Sequence, residues 1–376
     1  MVRQLAPALL AQFLATPPVA LAQDAFHLQP SATLTHVHDS NLLASSTAPL
    51  RDFITRLSPA IDSRYRSPLL TLDSRYTLDI EQFAQHSALS SAAARQQATF
   101  TLGYEPARRV GFSLGGEFLT TNTPGELNAA SGLAFTRARA QRLSAHSGVT
   151  RAFSRVTSGT LDVSFTEDRL GDRFVARTHE AAVGAERRLS ARNGITAGYR
   201  WRAFASIVDG GFSDVDAHAV TLGWSHEWTR SVSVVLEAGP RVTGGRLAPE
   251  WSAGLDADFK AADLVLSYAR TQTTVLGVAG AADIQQVTAS AAWAPVRWLD
   301  VHVAPAVFRS SLSGRRADVY TMRIGIGHPI GRRLSIELAA DASVQRGQLV
   351  AIAGGHTIAR HSVALRLVAA PVNRPE

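Results

Sequence analysis

The chain has 376 residues, 38 Lys plus Arg against 31 Asp plus Glu for a formal net charge of +7, 45% hydrophobic residues, 18% charged residues and no cysteine. The missing thiols exclude a disulfide framework, a cysteine nucleophile and any cysteine-ligated metal or iron–sulfur centre. Lys260 is the only lysine, and the arginines that make up the basic excess are scattered singly, which speaks against a nucleic-acid footprint.

In chain order, Met1-Val2-Arg3 is a short basic start, residues 5–19 are apolar with Pro17-Pro18 near their end, and Ala20-Leu21-Ala22 is a small-x-small cleavage pattern. This reads as a secretory signal peptide over residues 1–22, with one domain over residues 23–376. A short membrane anchor is the alternative, for which the apolar run is too brief. Mean hydropathy is +0.01, yet past the N-terminus no stretch approaches the roughly 18 consecutive apolar residues of a membrane helix.

From there on apolar and polar side chains alternate in segments of about ten to thirteen residues, and helical periodicity is nearly absent. In the second such segment Phe53, Thr55, Leu57, Ile61 and Tyr65 oppose Arg56, Ser58, Asp62, Arg64 and Arg66. Next, Leu70, Leu72, Tyr76, Leu78 and Ile80 oppose Thr71, Asp73, Arg75, Thr77, Asp79 and Glu81. The same two-sided reading holds over residues 157–166, 195–202, 220–228, 251–259, 334–341 and 362–367. Eight connections are short, such as Ser67-Pro68 and Thr229-Arg230-Ser231. Nine are read as longer: residues 39–52, 83–91, 122–135, 168–176, 205–216, 243–248, 275–281, 310–315 and 347–355. Together they join eighteen strands, with tight turns on one rim and loops on the other.

A soluble sandwich or β-solenoid would turn the polar face to water, but with shorter strands and one contiguous core. A transmembrane antiparallel up-and-down β-barrel inverts that arrangement, with the apolar face to lipid and the polar face to a lumen. It accounts together for the leader, the asymmetric connections and the even strand number, of which 16 is the alternative to 18. An Arg or Lys facing lipid at the midplane costs about 2–4 kcal/mol, so the charged faces must turn inward. Tyr104, Trp228, Trp251, Trp293 and Trp298, near strand ends, suit interfacial girdles. Outer-membrane lipid, lipopolysaccharide and the barrel assembly machinery are the partners this architecture expects.

Ser31 to Leu43 with its Asp39-Ser40-Asn41 step, then Asp52 to Ile61 with Ser58-Pro59, then Leu72 to Phe83 with Tyr76, resembles the β-barrel porin-2-like outer-membrane proteins associated with exopolysaccharide gene clusters. The resemblance covers about the first 60 mature residues. It implies an outer-membrane barrel of about 18 strands serving as an exit route for an exopolysaccharide or capsular polysaccharide, with periplasmic export or co-polymerase proteins as partners. The last strand, residues 356–369, lacks the terminal aromatic of a barrel assembly signal and is followed by a tail.

Chemistry is sparse. His36 and His38 share a strand face beside Asp39, which supplies two metal ligands without visible partners. Ser, His and Asp are present, but no nucleophile elbow appears, so no enzymatic activity, cofactor or metal is expected. Gly210-Gly211, Gly244-Gly245 and Gly354-Gly355 precede no helix and read as turns. Function then rests on the lumen-lining row: Arg56, Asp62, Arg64, Arg66, Asp73, Arg75, Asp79, Glu81, Glu186, Arg188, Arg200, Arg202, Glu227, Glu237, Arg241, Asp256, Asp258, Glu337, Asp341 and Arg366. Both signs occur, so a single-sign selectivity ring is not indicated. An export barrel, a general or solute-specific diffusion porin and a structural or adhesive barrel are the three readings. Residues 39–52 and 122–135 are the connections able to fold into the lumen.

Overall fold

The computed structural model describes residues 26–208, 210–349 and 357–370. The signal-peptide reading, Gly354-Gly355 and the C-terminal tail after Ala370 lie outside the described residues. Eighteen strands follow one another: β1 Phe26–Asp39, β2 Asp52–Arg66, β3 Leu70–Phe83, β4 Ser91–Ala107, β5 Val110–Thr121 and β6 Ala140–Ala152. Then come β7 Thr157–Leu170, β8 Phe174–Arg188, β9 Asn193–Val208, β10 Gly211–Thr229, β11 Val232–Thr243 and β12 Arg246–Phe259. The last are β13 Ala262–Thr274, β14 Ala281–Val296, β15 Leu299–Leu312, β16 Arg315–Pro329, β17 Leu334–Gly347 and β18 Thr357–Ala369. Each pairs antiparallel with the next, and β18 pairs with β1, so the sheet is a closed up-and-down barrel.

Register converts the alternation into two faces. Leu34 lies opposite Leu57, Tyr65 opposite Leu72, Leu255 opposite Leu266 and Ile336 opposite Leu367. On the other face Arg56 meets Glu81, Asp62 meets Arg75, Arg64 meets Asp73 and Glu337 meets Arg366. The apolar face is the outside: Val163, Leu222, Leu338 and Leu365 are all about half or more exposed. An apolar belt of that extent around a whole molecule belongs in hydrocarbon, where every backbone polar group must be paired within the protein. Tyr104, Trp228, Trp293 and Trp298 stand exposed at the rim of the tight turns, while Trp251 packs on Tyr268 at 4.6 Å.

The seam between β1 and β18 is reinforced by the Asp39-x-Asn41 step. Arg360 Nε donates to both oxygens of Asp39 at 3.1 and 3.0 Å. Asn41 Nδ2 donates to the carbonyls of Ser45 and Ala359, and its Oδ1 accepts from the Ser45 amide. The short motif that carries the sequence resemblance is thus a lock on barrel closure.

Strands run 12 to 19 residues, longer than the alternation indicates. Three of the segments read as long loops, residues 168–176, 243–248 and 310–315, are mostly strand and turn within three residues or fewer, and of the described residues in 205–216 all but Gly210 are strand. Gly244-Gly245 has φ of 51° and 78°, and Ser313-Gly314 has 50° and 81°. Two successive residues with positive φ make the hairpin turn whose twist matches the strands it joins. The alternation fades there because both faces are polar once the strands rise above the apolar belt. Glu167 accepts from Arg169 and Arg177, and Asp318 pairs with Arg309 and Arg316, all on the outward register.

The lipid-facing assignment predicts that L222R destabilises the refolded barrel by about 2–4 kcal/mol in a denaturant titration in bilayers. S252R, whose position pairs with Glu237 on the inner face, should cost far less. Equal losses would contradict the two-face assignment.

Candidate functional site

All twenty charged residues of the inner row fall on the inward register, and the structure sorts them into three settings. Toward the turn rim the pairs are open: Arg64 and Arg66 hold Asp73 at 3.1 and 2.9 Å, Arg75 holds Asp62 at 3.1 Å, and Arg366 holds Glu337 at 3.3 Å. Asp341 accepts from Arg323 there. Glu186, Arg188, Glu227, Asp256 and Asp258 stand exposed near the same rim. Toward the loop rim the charges are buried: Asp79 and Glu81, with Arg56 on Glu81 at 2.6 Å, and a cluster around Glu250. Glu237 lies between these levels and accepts from Thr221.

The reason for that burial is that the lumen is not empty. An 18-strand barrel is wide enough for an aqueous channel, and two segments enter it from the loop rim. The first is the connection 122–139 between β5 and β6, which contains a short 3-10 turn, Pro124–Asn128. Its apolar side chains account for its path, since they find cover only inside. Leu127 packs with Phe174, Ala176 and Leu276, and Leu133 packs with Val275, Ile284, Phe308 and Val319. Burying each leucine stabilises the insertion by about 1.5–3 kcal/mol.

Polar contacts fix its position at several points of the wall. Arg95 reaches Glu126 at 3.0 Å and Arg137 reaches Glu81 at 2.9 Å on the β3–β4 side. Arg142 Nη2 donates to the Leu127 carbonyl at 2.7 Å. Far from these, the Ala134 amide donates to Gln345 Oε1 on β17 at 2.9 Å. Gly132 has φ of 63°, and a Cβ there would sit 2.6 Å from the Phe308 ring, so glycine allows both the turn and the close approach. Burial pushes the Glu126 carboxyl above its ordinary range, against the pull of Arg95.

The second insertion is the tip of the β13–β14 hairpin. β12 and β13 stop pairing at Trp251 and Arg270, while β13 and β14 continue to Thr274 and Ala281. Freed from β12, the tip bends across the lumen: Thr178 on β8 meets Thr274 at 3.4 Å, and the Gly280 amide donates to Ser206 Oγ at 2.9 Å. Its formerly outward side now faces the inner wall, where Thr243 donates to Gln272 at 2.7 Å and Arg241 pairs with Asp283. The cluster joins three guanidinium groups to three carboxylates. Arg202 donates to Glu250 at 2.8 and 2.9 Å and to Glu180 at 2.9 Å, and Arg200 reaches Glu250 at 3.0 Å. Arg241, 1% exposed, completes it.

Cavities remain beside these segments and the wall. One of 490 Å³ lies on the turn side, lined in part by Asp263, His302, Arg323, Glu337 and Arg366. Another, of 370 Å³, lies between the inserted 3-10 turn and the wall of β5 to β8, and Glu117, Arg142, Asp168 and Glu180 line it. His36 and His38 face outward against Phe53, with ring centroids 5.6 and 4.9 Å away. No group of three metal-binding side chains occurs among the described residues.

Several participants escape a strand-by-strand reading. Arg142, Glu180 and Glu250 share the inward parity of Ser144, Glu186 and Ser252, so the register of their strands would have found them. Glu126, Arg137 and Asn128 sit in an irregular connection and carry no periodic signal.

No family model and no curated protein matches the sequence. Among solved structures the chain is similar to the outer membrane protein OpdK from Pseudomonas aeruginosa at 8% identity, covering 92% of this chain and 99% of that one with a TM-score of 0.45. It is similar to the siderophore receptor PirA from Pseudomonas aeruginosa at 9% identity, covering 92% and 80% with a TM-score of 0.45. The FrpB iron transporter from Neisseria meningitidis is 8% identical, covering 87% and 62% with a TM-score of 0.47.

The cluster around Glu250 predicts that E250A, which leaves Arg200 and Arg202 to share Glu180 and Arg241 with Asp283 alone, lowers stability by about 3 kcal/mol in a denaturant titration. A change no larger than that of an exposed pair, such as removal of Asp73, would show that the cluster is water-filled and screened.

Proposed function

We propose that this chain is a non-enzymatic channel of the outer membrane of a diderm bacterium, passing small polar solutes through a lumen narrowed by its own segments. The observation that carries the reading is the connection 122–139, held by ion pairs to Arg95 and Glu81 on one wall and by the Gln345 contact on another. A purely structural barrel needs no polar inner wall with open charges toward one rim. The tight-turn rim would face the periplasm, as β1 begins there after a leader-like N-terminus, and the longer connections would face outward. Lipid and lipopolysaccharide would surround the apolar belt, and the barrel assembly machinery would insert it.

Exit of an exopolysaccharide or capsular polysaccharide is the finer reading that the N-terminal resemblance supports. A polymer would then require the two insertions to leave the lumen, aided by periplasmic export or co-polymerase proteins. Chromosomal deletion that leaves secreted and surface polysaccharide unchanged would dispose of it.

For the channel itself, planar-bilayer recordings should show small discrete openings of the refolded protein. Deleting residues 123–137 should raise the conductance and admit larger sugars. Equal conductance of the two proteins would remove the constriction, and silence from both, with folding shown by heat-modifiable gel mobility, would remove the channel.

A further inference from the structure

The 370 Å³ cavity beside the 3-10 turn has the size of a small-ligand pocket and a lining of unusual chemistry. Strand register builds it as a polar row across four strands: Glu117 pairs with Ser144, Ser144 with Thr166, and Thr166 with Thr178. Below that row Ser164 pairs with Glu180, and above it Arg142 pairs with Asp168. The inserted segments supply the opposite side.

Two facts indicate what such a lining would hold. The first is Asn128, 4% exposed, whose Oδ1 accepts from the Leu276 amide while its Nδ2 has no hydrogen-bond partner. A buried donor left unmade is costly, and a ligand oxygen at the cavity would satisfy it. The second is charge: Asp168 is held by Arg142 and Glu180 by Arg200 and Arg202, whereas Glu117, which accepts from the neutral Gln97, has no guanidinium partner among the described residues. Arg142 is already occupied, bound to both oxygens of Asp168 at 2.7 and 2.8 Å and to the Leu127 carbonyl. Arg202, behind Glu180, is engaged by Glu180 and Glu250. An anion entering the cavity therefore meets no uncommitted cation, whereas a hydroxyl or ammonium donor meets carboxylates with lone pairs to spare. No aromatic side chain among the described residues lines the cavity, so hydrogen bonds rather than stacking decide.

The geometry points to a binding site for non-anionic, polyhydroxylated solutes of monosaccharide size, with a cationic amino sugar held better than its neutral counterpart. The inference rests on the channel reading and names the solute class that the constriction prefers. The experiment records current block of the refolded full-length protein by glucosamine, glucose and glucuronate. Glucosamine is expected to block at the lowest concentration, glucose at a higher one, and glucuronate not at all. N128A should weaken block by both non-anionic sugars about two- to tenfold, the worth of one hydrogen bond. The pair S164A and T166V, which leaves the Asn128–Leu276 contact in place, should do the same. E117Q should remove the advantage of glucosamine over glucose.

Block by glucuronate as strong as by glucosamine, or unchanged block in both hydroxyl and amide variants of normal conductance, would overturn the inference and leave the channel standing. Should the protein conduct nothing, calorimetric titration of the detergent-folded barrel with glucosamine separates the two ideas. Binding lost in the S164A and T166V pair would keep the site without the channel, and no binding would remove both.

Discussion

Everything in this molecule depends on the pairing of β18 with β1. A sheet whose outer face lies in hydrocarbon has no water to satisfy an open edge, and each unpaired backbone group would cost several kcal/mol. The seam is one of the shorter ladders of the barrel, eight residue pairs from Ala32–Ala369 to Asp39–Ser362. Side chains compensate for its brevity: Asp39, 1% exposed, binds Arg360, and Asn41 ties the first connection to the β18 backbone. With the seam closed, an outer belt of Leu, Val, Ile and aromatic residues and an inner wall of charge follow from side-chain alternation alone.

Closure creates a second problem, a wide lumen, and the chain meets it with two segments of different character. Residues 122–139 are an irregular connection whose leucines form apolar cores inside the barrel, against Phe174, Phe308 and Val319. The β13–β14 tip is regular strand that has left the wall, so one of its sides meets the connection and the other meets Arg241 and Thr243. The hydrophobic cores of this protein are therefore inside a polar cylinder. They form where an inserted segment meets apolar residues of the wall, and at the loop rim where Leu42 of the first connection packs on Ile54 and Phe83, while toward the turn rim the inner face stays charged and open.

How much of this was legible depends on whether a residue sits between lipid and lumen. The faces of Leu70 through Phe83, or of Leu334 through Asp341, can be read directly because one side must be apolar and the other need not be. The upper halves of β7, β8, β15 and β16 cannot, because Glu167, Arg177, Arg309 and Asp318 face outward above the belt and the pattern loses its contrast. Residues 122–135 could be named as able to turn inward, since a lumen and a long connection were both in view. The anchors Glu126 and Arg137 could not, because their partners Arg95 and Glu81 are brought to them only by the curvature of the closed wall. Nothing local marks the β13–β14 tip, whose departure from β12 is a property of the neighbouring strand as much as of its own.

The same seam shapes how the protein must come together. Successive strands close loops of tens of residues or fewer, but Asp39 and Arg360 are 321 positions apart. Joining them in an unstructured chain would cost about 5 kcal/mol of conformational entropy, whereas joining them after the hairpins have curled costs little more than aligning two edges. Closure thus comes last, and before it the growing sheet carries two raw edges, β1 and β18, each able to pair with a neighbouring chain. The contacts of the Asp39-Ser40-Asn41 step with Arg360, Ala359 and His361 favour the correct edge over those alternatives.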